Sequence, residues 1–262
     1  MKNMEEIIIP LIILSFAVLI GSVLGFGDSL VFISITSLFL EIRAVVVLMG
    51  FWTLALSVLN AIKYRQLIDT RFLKKFLLPG ILGVILGSYL MVIVASRWIE
   101  FSLGGFILIY VSSKIIEMRN VRKDIKAGVF NPKLRNIDSV PGFIFYSGAF
   151  SYGFIGGLIG ASGPINVVLL ERCGYEKERF IANFSITSVI LNSFRLNIYV
   201  LNSLFPVDYL LLFLLGFIVV FVVTRIGHWI TPRIPKTQFQ ILVLILLTLV
   251  GFRLILTSLF IA

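Results

Sequence analysis

Residues 156–164 read Gly156-Gly157-Leu158-Ile159-Gly160-Ala161-Ser162-Gly163-Pro164, and they interrupt Ser139–Leu170, a stretch of 32 residues without Asp, Glu, Lys, Arg or His. As one straight α-helix that stretch would run about 48 Å. The hydrocarbon core of a bilayer is only about 30 Å thick. The segment must therefore break, tilt severely or leave the membrane. Gly160–Pro164 is the natural break, because glycine accepts non-helical backbone angles and proline suits the first turn of a new helix. Ile7–Leu40 poses the same problem, with Gly25–Ser29 as its break.

The composition around these breaks is that of a membrane protein. Of 262 residues, 59% are hydrophobic and 14% charged, and the mean hydropathy is +1.05. A soluble domain is about 45–50% apolar, so lipid must cover the excess. Ile7–Gly27, Ala44–Ile62 and Phe76–Ser96 are also free of charge, and further apolar blocks lie around Ile99–Ser113, Phe180–Leu201, Tyr209–Thr224 and Phe239–Phe260. The net charge of +10 reflects basic residues at loop ends rather than a nucleic-acid partner. A single cysteine, Cys173, excludes an internal disulfide. The apolar run after Lys2 lacks a clear small-residue cleavage site and predicts an uncleaved first span.

The chain divides at Lys114–Asp138, which holds seven Lys or Arg together with Asn131 and Pro132. The two flanking halves look alike. A shift of 135 residues places Gly21 on Gly156, Gly25 on Gly160, Ser57 on Asn192 and Asn60 on Arg195.

The basic residues decide how the breaks are counted. One crossing per broken segment gives eight full spans, four per half, and divides Lys and Arg 13 to 8 across the membrane. A span plus a short return helix gives ten segments and divides them 18 to 3, with only Lys2, Arg43 and Arg97 on the poorer side. The second split is the one the positive-inside rule favours. The expected fold is therefore an all-α integral membrane protein with ten helical segments, the first helix of each half broken at a glycine-rich turn. Residues 1–116 and 141–262 form two five-helix repeats, and residues 117–140 a basic cytoplasmic loop. Five is odd, so the repeats must be inverted. Both termini then lie outside the cytoplasm, in a plasma (inner) membrane setting.

Inverted repeats with broken helices belong to secondary transporters, whose substrates bind where the breaks meet. The return helices are expected to begin near Ser29 and Pro164 and to project free N–H groups and positive dipole ends inward, which favours an anion. Glycines that merely allow close helix packing are the alternative. Arg195 lies in an otherwise uncharged span, three residues after Asn192 and on the same helix face. An arginine in hydrocarbon costs about 2.5–3.5 kcal/mol on insertion scales, so it must face the interior or snorkel to the interface. Arg253 has the same choice. Asp28 is the only acid in the breaks and is expected either to cap the return helix or to serve coupling and gating. Gly27, Ser29, Ser162, Gly163, Asn166, Asn192 and Arg195 are the expected substrate contacts.

Gly160-Ala161-Ser162-Gly163 also matches the nucleophile motif of rhomboid-type intramembrane proteases, which need a histidine within reach of the serine. His228 is the only histidine, and it falls at the basic end of its span beside Arg225 and Arg233, far from a midplane serine. No metal or cofactor motif is expected, nor is a Walker loop present to hold ATP.

Gly156–Pro164 with Ile165-Asn166 resembles the G-G-x-x-G-x-x-G-P-I pattern of the sulfite exporter TauE/SafE family of membrane permeases. Glu178-Arg179-Phe180, Asn192, Arg195 and Gly25-Phe26-Gly27 fit the same resemblance, which runs over nearly the whole length. Asp28 and Ser29 stand where the family commonly has glycine, Ile33 and Ser34 where it often has proline, and Ile181 where it often has arginine. The resemblance implies transport of sulfite, sulfonates or related small sulfur compounds. The residues alone point to a secondary transporter for a small anion, possible as a homodimer and with a proton or sodium ion for coupling. An anion channel of the same architecture is the alternative.

Overall fold

A computed structural model describes residues 5–24, 27–126, 140–175, 177–230 and 236–260. Gly25 and Phe26 of the first break, most of the basic loop, both termini and the side chain of His228 lie outside the described residues. The described chain is helical, with ten α-helices and no strand. In order they are α1 (Glu5–Leu24), α2 (Asp28–Thr36), α3 (Ile42–Lys63), α4 (Thr70–Ile93), α5 (Ser96–Lys126), α6 (Gly142–Ile159), α7 (Gly163–Arg172), α8 (Lys177–Leu201), α9 (Leu210–Ile230) and α10 (Lys236–Phe260).

Six stretches are long and apolar enough to cross a membrane: α3, α4, Ser96–Ile116 of α5, α6, Glu178–Leu201 of α8, and Val207–Ile226, which runs into α9. Within α1 and α10 the described apolar stretches are shorter, Ile7–Gly21 and Leu247–Leu259. At 9 and 10 residues, α2 and α7 reach only about half way across the hydrocarbon core. They begin directly after the two glycine breaks. Helix α5 runs on to Lys126, into the segment expected to be loop, because its Glu, Lys and Arg residues are good helix formers once in water.

The local reason for each break is visible in the backbone. Gly160 ends α6 with φ 74°, and its N–H bonds to the carbonyl of Gly156 at 3.0 Å, the left-handed closure that glycine makes without strain. Gly27 precedes α2 with φ 97°. Ser162 precedes α7, and Pro164 occupies its first turn.

The principal helix pairs are α1 with α9, α4 with α6, α3 with α8 and α5 with α10. The α4–α6 pair is the tightest. A Cβ added at Gly83 would stand 2.2 Å from the Phe150 carbonyl oxygen, and one at Gly153 would stand 2.1 Å from that of Gly80. Small residues let the backbones meet, which is how helices associate in lipid without a hydrophobic drive between them.

Two separate apolar cores result. The larger gathers residues mainly of α1, α2, α3, α5, α9 and α10, joined by the ends of α4, α6 and α8 at Met91, Ile159 and Tyr199, with Trp52, Phe32 and Met49 among its buried side chains. The smaller belongs to α4, α6, α7 and α8 and contains Phe72, Phe76, Phe145, Tyr152 and Leu191. At one end of the molecule a polar network ties the α3–α4 connection to the start of α8. Asp69 caps α4 through the N–H groups of Arg71 (2.9 Å) and Phe72 (3.2 Å), and accepts from Tyr175 (2.7 Å) and Arg179 (2.9 Å). The Asn183 side chain accepts from the Asp69 N–H at 2.9 Å.

Candidate substrate site

Both breaks and the middle of α8 converge on a cavity of about 50 Å³ between the two cores. Its walls include Gly27, Asp28 and Ser29 from the first break, Ser162, Gly163 and Pro164 from the second, and Asn192 and Arg195 from α8. Seven of the eight expected site residues therefore share one cavity. The eighth, Asn166, does not line it. It is fully buried in α7, donating to Thr187 Oγ1 at 3.0 Å, and its Oδ1 has no partner.

Arg195 dominates the electrostatics. It is 4% exposed, so it does not snorkel. Its Nη1 donates to the carbonyl of Gly156 at 2.9 Å, a second bond to the oxygen that already accepts from the Gly160 N–H, in the last turn of α6, where the helix dipole is negative. A guanidinium has five N–H donors; its Nε is buried without a partner. No carboxylate lies within ion-pair distance of it among the described residues. Tyr199 stacks its ring 5.9 Å from the guanidinium carbon, and the Tyr152 hydroxyl stands near it on the cavity wall. The space for this side chain is made by Gly50 of α3, where a Cβ would stand 2.6 Å from Arg195 Nη2.

The neutral groups are held by one another. Ser29 Oγ lies 3.3 Å from Thr53 Oγ1, Ser57 Oγ donates to Ser188 Oγ at 2.9 Å, and Asn192 Nδ2 donates to the same Ser188 Oγ at 2.9 Å. Asp28 is the first residue of α2, not its cap; its carboxyl group meets the backbone N–H groups of Ser29 and of Asp28 itself, and its Cβ packs over Gly21 of α1. The N-terminus of α2 is thus already occupied by an acid. At the matching start of α7 stands Gly163, which has no side chain.

Thr53, Tyr152 and Ser188 also line the cavity, and reading the sequence did not single them out. Ser188, Asn192 and Arg195 recur at helical spacing on α8, a signal that was available. Thr53 and Tyr152 gave none, because lone hydroxyls are ordinary in apolar helices. Among the described residues, no histidine lines the cavity that Ser162 lines.

Spanning helices around a cavity with polar groups on its wall, reached by two interrupted helices, define a multi-pass membrane protein of the transporter class. The profile of the sulfite exporter TauE/SafE family matches residues 10–254, and the chain belongs to that family. No curated protein and no solved structure matches the chain.

Proposed function

We propose that this protein is a secondary transporter for a small oxyanion, sulfite or a compact sulfonate, bound between the two breaks with Arg195 as its principal counter-charge. The observation that carries this reading is the buried guanidinium without a carboxylate partner on the cavity wall. A buried charge is tolerated when it is paired and hydrogen-bonded, and an anion in the cavity would complete the set. Gly27, Ser29, Ser162, Gly163 and Asn192 supply the remaining wall, at the positive end of α7. Asn166 braces α7 from behind through Thr187.

Size supports the same substrate class. At about 50 Å³ the cavity is small, as a compact oxyanion requires. A sulfonate with a large organic group needs a more open conformation.

The two-repeat architecture supports alternating access. Displacement by 135 residues carries the end of α1 at Leu24 onto the end of α6 at Ile159, the start of α2 at Asp28 onto that of α7 at Gly163, and the start of α3 at Ile42 onto that of α8 at Lys177. Exchanging the halves turns the α1–α9 pair into α6–α4 and leaves α3–α8 and α5–α10 unchanged, as a pseudo-twofold axis requires. The reading is thus of inverted repeats, residues 1–116 and 141–262, with extracytoplasmic termini in the inner membrane. Asp28, on the cavity wall, serves coupling: its charge opposes the anion, so taking up a proton there would accompany anion entry.

Uptake into proteoliposomes tests the reading. Saturable sulfite exchange with counterflow is the expected result. Non-saturating conductance would replace the transporter by a channel.

A further inference from the structure

A second cavity lies on the outside of the bundle. It is a groove of about 450 Å³ between α5, α6 and α7, with Phe106, Ile109, Ile144 and Val168 along its length and Lys114, Glu171 and Arg172 at one end. That volume is in the range of sites that hold an organic ligand. In the other half the matching helix α2 packs against α5 and α10 as well as α1 and α3, whereas α7 packs mainly against α6 and α8. Val168 is left 50% exposed on α7 as a result.

We propose that this groove is a binding site for one phospholipid with an anionic headgroup. Its phosphate would sit at the Arg172 end and an acyl chain would lie against Ile109, Ile144 and Val168. Three observations argue for this occupant. The groove lies on a membrane-spanning bundle, where acyl chains are the surrounding solvent. Its lining is mostly apolar, and the polar groups include two cations against one acid at a single end, a balance that complements one phosphate. Arg172 is exposed, and the ion pair seen among the described residues is Arg179–Asp69, which does not involve it. Basic pockets between membrane helices recognise anionic headgroups on these terms. Pro164 lines both this groove and the central cavity, so a lipid held here would brace the first turn of α7, the wall of the substrate site.

The test is lipid titration of the purified protein in detergent, with occupancy read by native mass spectrometry. Phosphatidylglycerol is expected to bind more tightly than phosphatidylcholine. Arg172→Ala should weaken phosphatidylglycerol about fivefold, the effect of one cation near the surface, and leave phosphatidylcholine unchanged. Gly148→Phe, which fills the groove where an added Cβ meets only Leu169 at 3.4 Å, should remove both. Equal binding of the two lipids, or an Arg172→Ala variant that binds phosphatidylglycerol normally, would overturn the proposal. So would a dimer whose contact blocks lipid. Lipid occupancy is read without substrate, so this outcome is independent of the transport reading.

Discussion

Arg195 Nη1 and the carbonyl oxygen of Gly156 are 2.9 Å apart, which pins the middle of α8 to the turn where α6 ends. The same turn is held from α8 a second time, by the Tyr199 hydroxyl donating to the Gly157 carbonyl. A charged side chain is therefore fixed in place before any ligand arrives, and little ordering is left for binding to impose.

Arg195→Ala is expected to weaken sulfite binding by about 10- to 150-fold, the range of a hydrogen bond to a charged group. Folding should survive, because removing a buried charge relieves desolvation as well as losing a bond. Arg195→Lys keeps charge but loses the planar fork, and should recover only part of the affinity. Isothermal titration on purified protein checks both; unchanged affinity for Arg195→Ala removes it from the site.

Gly50→Ala tests the same site without touching a polar group. The new Cβ would meet Arg195 Nη2 at 2.6 Å and Leu196 Cδ2 at 2.9 Å. Displacement of the guanidinium should lower affinity while the fold persists. Normal affinity would mean that the position of the guanidinium does not matter to binding.

Asp28→Asn should leave sulfite binding in place and flatten the pH dependence of transport measured in proteoliposomes. A variant that keeps the full pH dependence assigns coupling elsewhere.

The α4–α6 joint should resist any added atom. Gly153→Ala drives a Cβ to 2.1 Å from the Gly80 carbonyl oxygen, where no flexible side chain can yield. A loss of about 1–3 kcal/mol or more is expected, read as a lower midpoint of thermal unfolding. Gly105→Ala meets nothing within 4 Å and gains helix propensity, so it should be neutral or mildly stabilising.

Asp69 sets a pH dependence of stability. Burial pushes its carboxyl up, but the Tyr175 hydroxyl, the N–H groups of Phe72 and Arg71 and the Arg179 guanidinium outweigh that and hold it below its ordinary value of 3.8. Its contribution is therefore complete above the unfolded-state value and is lost as the pH falls through the lower, folded-state value. Asp69→Asn should cost about 1–3 kcal/mol at neutral pH through the weakened cap and lost charge, and this difference should shrink under acid conditions. Unfolding midpoints measured from neutral pH downward provide the comparison.

How far the sequence could be read depended on the range of the physics involved. The 32 uncharged residues of Ser139–Leu170 are too long for a bilayer, and that arithmetic needs no neighbour. It located both breaks, and Gly160 and Gly27 are indeed the left-handed residues beside them. Arg195 was conspicuous because charge is rare in hydrocarbon, but its neighbours were not legible. Interior contact and snorkelling satisfy the same sequence, and only Gly50, Gly156 and Tyr199 arriving from other turns and helices decide between them. The α4–α6 joint shows the same limit: Gly83, Gly87, Gly153 and Gly157 suggest close packing, but not which helix each pair meets.

By itself, the sequence determined that this chain lives in a membrane, that two of its helices break, and which side chains are too polar to face lipid. These follow from solvent transfer and backbone geometry, which act locally along the chain. Only the tertiary structure decided that the two breaks face one another across a cavity of about 50 Å³, that Asn166 lies behind its wall bonded to Thr187, and that α7 is left bare over a groove where α2 is covered. Those outcomes depend on which helices pair, and pairing in lipid is set by shape complementarity between distant segments.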